Sequence, residues 1–70
     1  MTQQDFINFL QKLKEQNISN SKLAKFMGYN TISMSCFKNE KRPTPLVLLR
    51  ACEGLARLDM IGIDLKNIIK

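Results

Sequence analysis

The residues with the most chemistry to offer lie in TISMSCFK, Thr31 to Lys38, and in the NEKRP that follows it. If the stretch is helical with Met34 and Phe37 turned inward, Thr31, Ile32, Ser35, Cys36 and Lys38 turn outward to varying degrees. Hydroxyls such as those of Thr31 and Ser35 bond base edges, Thr and Ile side chains touch a thymine methyl group, and Lys38 can reach phosphate or guanine. Of these outward residues, Thr31, Ile32 and Ser35 have side chains suited to base edges, with Cys36 beside them. No Arg, Gln or Asn occupies the middle of this stretch. Sequence preference is thus expected to rest on apolar contacts, hydroxyls and DNA shape rather than on several bidentate pairs. Phosphate contacts are expected from Asn20, Lys22, Asn30, Lys38, Asn39, Lys41 and Arg42, around two helix starts and one helix exit. Such contacts position a protein on DNA without reading its sequence.

An outward-facing helix of this kind needs a partner helix that holds it across the DNA backbone. The preceding residues supply one. Leu23, Ala24 and Met27 face inward on a helix that Ser19 or Asn20 can cap, with Lys22 and Lys25 outward. Gly28 follows at once, where helices commonly end in the left-handed conformation that glycine adopts without strain. Asn30 or Thr31 can cap the next helix, which is expected to run to about Asn39. Ala24 lets the two helices cross closely, and Met34 and Phe37 anchor the second from beneath. Together they give the spacing of a helix-turn-helix over residues 20–39.

Charge points to the same segment. The formal net charge is +5, and the residues from Ser19 to Arg50 carry all of it: Lys22, Lys25, Lys38, Lys41, Arg42 and Arg50 stand against Glu40 alone. The flanking residues 1–18 and 51–70 are each balanced. A basic patch confined to one element is the electrostatic footprint of a phosphate-binding surface.

The rest of the chain reads as support. Phe6, Phe9, Leu10 and Leu13 have helical spacing, so a first helix is expected from about Gln3 to Gln16, opened by a capping box of Thr2 and Asp5. Ile18 is expected to dip into the core from the following turn. Thr44-Pro45 is a helix start signal, and the fourth helix then buries Leu48, Leu49, Cys52, Leu55 and Ala56. Gly54 within it suggests a close approach by a neighbouring backbone. Gly62 breaks the pattern, and Asp64 to Ile69 can form a last short helix. The fold expected is all-α, a compact four- to five-helix single domain spanning residues 1–70, with a possible dimerisation tail over 60–70. Ile61, Ile63, Leu65, Ile68 and Ile69 form the apolar stripe that would serve as the dimer interface.

Several chemistries find no support. There is no His, and Cys36 and Cys52 are too few for a disulfide framework or a zinc site, so no metal or cofactor is expected. Ser33, Ser35 and Cys36 have no evident general base, so catalytic residues are not expected either. The longest aliphatic run, Leu46 to Leu49, is far short of the ~20 residues a membrane span needs. MTQQDF lacks the basic start and apolar stretch of a signal peptide, so a cytoplasmic location is expected.

On these residues the chain resembles the Cro/repressor helix-turn-helix family of phages and bacterial regulators, the xenobiotic-response-element type with a lambda repressor-like fold. The resemblance runs from about Phe6 to Ile69. It is carried by SKLAKFMGYN, by SMSCFKNEKRP, by TPLVLLRACEGLARL and by the closing IGIDLKNII. It implies a dimeric operator binder, with Thr31, Ile32, Ser35 and Cys36 at base-facing positions and Asn20, Asn39 and Arg42 at phosphate-contacting ones. The sequence departs from the family pattern at Asn20, where Gln is frequent, at Glu40, where Gly is usual, and at Met34, where Val or Ile is commoner.

The leading expectation is a sequence-specific DNA-binding transcriptional regulator. It would be a homodimeric repressor of an inverted-repeat operator, a phage or mobile-element autoregulator associated with the bacterial nucleoid. The alternative is a protein-interaction module of the same fold, such as an antitoxin, an anti-repressor or an inhibitor.

Overall fold

Three of the four helices begin where a side chain takes up a free backbone N–H. The computed structural model describes residues Met1–Ile69. Helix α1 spans Gln3–Glu15, α2 Asn20–Met27, α3 Thr31–Lys38 and α4 Leu46–Met60, and a 3-10 turn, Leu65–Asn67, follows. No strand occurs among the described residues. At α1 the Asp5 amide donates to the Thr2 hydroxyl (3.1 Å) while the Thr2 amide donates to the Asp5 carboxylate (3.0 Å), closing the expected capping box. The Thr2 amide, with help from the Thr2 hydroxyl, holds the Asp5 carboxyl below the usual carboxylate range. Ser19 caps α2 through the Lys22 amide (3.2 Å), and Asn30 caps α3 through the Ser33 amide (2.7 Å). Helix α4 departs from expectation. Pro45 is its boundary residue and no side chain caps it, because the Thr44 hydroxyl is turned away to donate to Gln3 Oε1.

All four helices end in one way. Asn17, Gly28, Glu40 and Gly62 take left-handed φ angles of 64°, 82°, 60° and 92°. The next amide in each case returns to a carbonyl five residues back: Ile18 to Leu13 (2.8 Å), Tyr29 to Ala24 (2.8 Å), Lys41 to Cys36 (2.9 Å) and Ile63 to Leu58 (3.1 Å). Each bond satisfies a carbonyl that the helix end would otherwise leave unpaired, and each turns the chain sharply back toward the core.

The turns place the apolar faces around one centre. Phe6, Leu10 and Leu13 of α1, Ile18, Leu23 of α2, Met34 of α3, and Leu48 and Cys52 of α4 are all fully buried. The Cα radius of gyration, 11.1 Å, matches the ~11 Å expected of a compact chain of this length. Burial pushes the Cys52 thiol up to about 12, so Cys52 acts as a small apolar core residue. On the surface between α1 and α4, Lys12 Nζ meets Asp59 Oδ2 at 2.7 Å and Gln16 Nε2 donates to Asp59 Oδ1 at 3.4 Å.

Two further expectations need correction. Leu65 and Ile69 belong to the core, 0% and 3% exposed, and cannot form a seam with another molecule in this fold. The 3-10 turn folds them back under the domain, leaving Ile61 and Ile63 exposed and Ile68 half-buried. Gly54 is exposed, and a Cβ added there would meet nothing within 4 Å, so no close backbone approach explains it.

Candidate nucleic-acid interface

Helix α3 is placed by what lies beneath it and at its two ends. Ala24 is buried where α2 and α3 pack together, and Met34 and Phe37 fix the inner face of α3 in the core. The Tyr29 ring, just after the Gly28 turn, meets Phe37 edge to face at 5.6 Å between centroids. Tyr29 thus locks the connection between the helices. Thr31 Oγ1 donates to Ser21 Oγ at 3.4 Å, a second link across the same junction.

The outer face of α3 presents Thr31, Ile32 and Ser35, all exposed. Ile32 is 72% exposed, a large aliphatic side chain held in solvent by a helix whose other face is in the core. Cys36 is half-buried and turned toward the exit loop, where Arg42 Nη2 lies 3.6 Å from its Sγ. Of the four expected base readers, three therefore share an open face and the fourth borders it.

The expected phosphate-binding residues fall at the two ends of α3. Toward its start, a groove of about 470 Å³ between α2 and α3 is lined by Ser21, Lys22, Lys25, Tyr29, Asn30 and Thr31. Asn30 lends its Oδ1 to the cap, and Asn20, the first residue of α2, is half-buried. Toward the end of α3, a hollow of about 290 Å³ is lined by Gln3, Glu40, Lys41, Arg42 and Pro43. Lys38 is half-buried, and Asn39 Nδ2 donates to Ser35 Oγ at 3.3 Å. The cations thus frame the exposed strip of α3 from both sides.

Three contributors escape sequence reasoning as site residues. Lys25 lines the groove at the start of α3, although its outward position on α2 was legible in the helical spacing. Tyr29 sits at the junction for packing reasons. Gln3 reaches the hollow at the end of α3 from α1 and has no signal in sequence, because its partners are 34 and 41 residues away.

Apolar surface also lies elsewhere. Met60, Ile61 and Ile63 are 80%, 73% and 40% exposed at the turn after α4, and Leu46 and Val47 are exposed at its start. Among the described residues no group of His, Cys, Asp and Glu could hold a metal ion, and no helix is long and apolar enough to cross a membrane. No protein family, curated protein or solved structure matches the chain.

Proposed function

We propose that the protein is a sequence-specific DNA-binding regulator in which α2, the Gly28 turn and α3 form a helix-turn-helix and α3 enters the major groove. The observation that carries the reading is the exposed strip Thr31–Ile32–Ser35 on α3, framed at both ends by lysine and arginine side chains. An isoleucine so exposed on a surface helix has a use if a thymine methyl covers it, and the neighbouring hydroxyls fit base edges. Confinement of the entire +5 net charge to Ser19–Arg50 supports phosphate as the partner of the flanking cations.

In this reading Asn39 has a double part. Its carboxamide orients the Ser35 hydroxyl while its position at the end of α3 faces the backbone of the duplex. The base readers are Thr31, Ile32 and Ser35, with Cys36 at the margin. The phosphate contacts are Asn20, Lys22, Lys25 and Asn30 on one side and Lys38, Asn39, Lys41 and Arg42 on the other.

The regulator acts as a homodimeric repressor on an inverted repeat, the arrangement that the resemblance to the Cro/repressor family implies. Its seam is Met60, Ile61 and Ile63, since Leu65 and Ile69 are committed to the core. Three side chains expose roughly a few hundred Å², well short of the ~800 Å² per partner of a stable interface. The dimer is therefore weak alone and is completed on the operator, where two half-sites hold the protomers together. The same apolar turn also favours a second reading, a protein-interaction module, in which Met60, Ile61 and Ile63 dock on a different protein.

Titration of duplex DNA at several salt concentrations separates the roles. Ser35→Ala changes sequence preference, whereas Arg42→Ala weakens all sequences alike and lowers the salt slope by about 1. Ile61→Glu removes the cooperativity of operator binding and leaves half-site affinity intact. Unchanged affinity and salt slope in Arg42→Ala, with Ser35→Ala indistinguishable from wild type, would shift the reading to the interaction module.

A further inference from the structure

Gln3 is the one side chain of α1 that reaches both ends of the segment joining α3 to α4. Its Nε2 donates to the Phe37 carbonyl at 2.9 Å, and its Oε1 accepts from the Thr44 hydroxyl at 2.5 Å. Phe37 closes the last turn of α3 and Thr44 stands just before α4, so the two bonds bracket the loop that carries Lys41 and Arg42. The orientation of the carboxamide is dictated by chemistry. A carbonyl can only accept, so the NH₂ must face Phe37, and the oxygen is left for the hydroxyl. Both bonds are half-buried, where losing a partner costs more than it does in open water.

The loop needs such a tether. Its left-handed residue is Glu40, with φ 60°, and not a glycine. Its own bonds are the Glu40 amide on the Phe37 carbonyl, at 3.2 Å, and the Lys41 and Arg42 amides on the Cys36 carbonyl, at 2.9 and 3.4 Å. Lys41 and Arg42 are exposed, and among the described residues the only side-chain hydrogen bond made by either is the weak one from Arg42 to the Cys36 sulfur. Their place in space thus depends on the loop backbone, and that backbone is tied down from α1.

We propose that Gln3 is a positioning residue for DNA binding, acting through the exit loop to hold Lys41 and Arg42 in reach of phosphate. The role rests on the DNA-binding reading above and deepens it. Gln3 itself touches no DNA. Its effect is on affinity for every sequence, and the preference set by α3 is untouched.

The test is a double-mutant cycle read by DNA titration against salt, with amide hydrogen exchange as a DNA-independent measure of the loop. Gln3→Ala and the uncharged, near-isosteric Gln3→Met, which loses both bonds, are each made in wild type and in the Lys41→Ala/Arg42→Ala background. Expected in wild type is a loss of about three- to tenfold in affinity for all duplexes, the size of one lost hydrogen bond. Faster exchange of the Lys41 and Arg42 amides, with the α1 and α4 core unchanged, accompanies it. In the background lacking the two cations, neither Gln3 variant lowers affinity further, though both still speed exchange. An equal loss in both backgrounds, or unchanged affinity with faster exchange, overturns the positioning role and leaves the DNA reading standing. Failure of the wild type itself to bind any duplex overturns the DNA reading and the role together.

Discussion

The exits from α2 and α3 close the same hydrogen bond and are stabilised by opposite means. At the first, Gly28 takes φ 82° with no Cβ to clash, and the Tyr29 amide returns to Ala24. At the second, Glu40 takes φ 60°, a conformation that costs a residue with a side chain roughly 1–2 kcal/mol. The Gly28 exit is local: its geometry follows from the residue type, and it sets the angle at which α3 leaves α2. The Glu40 exit is held from a distance by Gln3, whose bonds to Phe37 and Thr44 compensate for a backbone that no local residue favours. The lesson is a division of labour. The turn that orients the reading helix is rigid by sequence, while the loop that presents Lys41 and Arg42 is rigid by tertiary contact, and so can be altered from α1.

Substitutions at the two exits should therefore change stability in opposite directions. The largest effect is expected at Gly28. Gly28→Val puts a β-branched residue at a left-handed position and should lower stability by at least about 1–2 kcal/mol in denaturant unfolding. The cost is conformational alone, since a Cβ there meets no atom within 4 Å. A neutral result would remove the difference between the exits. Glu40→Gly should raise stability by about 0.5–1 kcal/mol, and Glu40→Gln, which removes the charge but keeps the side chain, should not. Both should tighten DNA binding alike, because both delete the only acid in the basic segment. Equal stability of the two variants would show that the backbone at Glu40 is unstrained.

The smallest effect is a control outside both exits. The Lys12 ammonium, 2.7 Å away, with help from Gln16, holds the Asp59 carboxyl below its ordinary value. A carboxylate depressed in the fold stabilises it above the unfolded value of about 3.9, and that stability is lost as pH falls through the lower, folded value. Asp59→Asn should therefore lessen the acid dependence of stability below about pH 4. The change is small because Lys12 is half-exposed and surface pairs are screened. A large change, or a stability difference from wild type that persists undiminished in acid, would mean that this pair does more than tie α1 to α4.

Most of the helical framework was legible because its signals are local. Thr2 with Asp5, Ser19, Asn30 and Gly28 each act within a few residues, and Phe6, Leu10, Leu13, Leu23, Met34 and Leu48 fall at helical spacing. What was missed depends on partners distant in sequence or on the absence of a local cue. Leu65 and Ile69 read as a seam because an apolar pair one turn apart looks alike whether its own core or a second molecule covers it. Thr44 looked like a cap, but its hydroxyl is recruited by Gln3 across the fold. Gly54 suggested close packing and is simply exposed. Nothing in NEKRP announces that Glu40 turns left-handed, although its departure from the Gly usual in the resembling family falls at that residue. Within the candidate site, Thr31, Ile32 and Ser35 could be placed outward from the positions of Met34 and Phe37 alone. The half-burial of Cys36 depends on the loop that folds over it, and could not.

The most direct test of the central claim, that α3 reads DNA sequence, is selection of bound duplexes from a random pool, repeated at rising salt. The account predicts recovery of one consensus, an inverted repeat with half-sites about one helical turn apart, ~34 Å. Affinity for it should fall steeply with salt. Binding that enriches no sequence, however sensitive to salt, would contradict it.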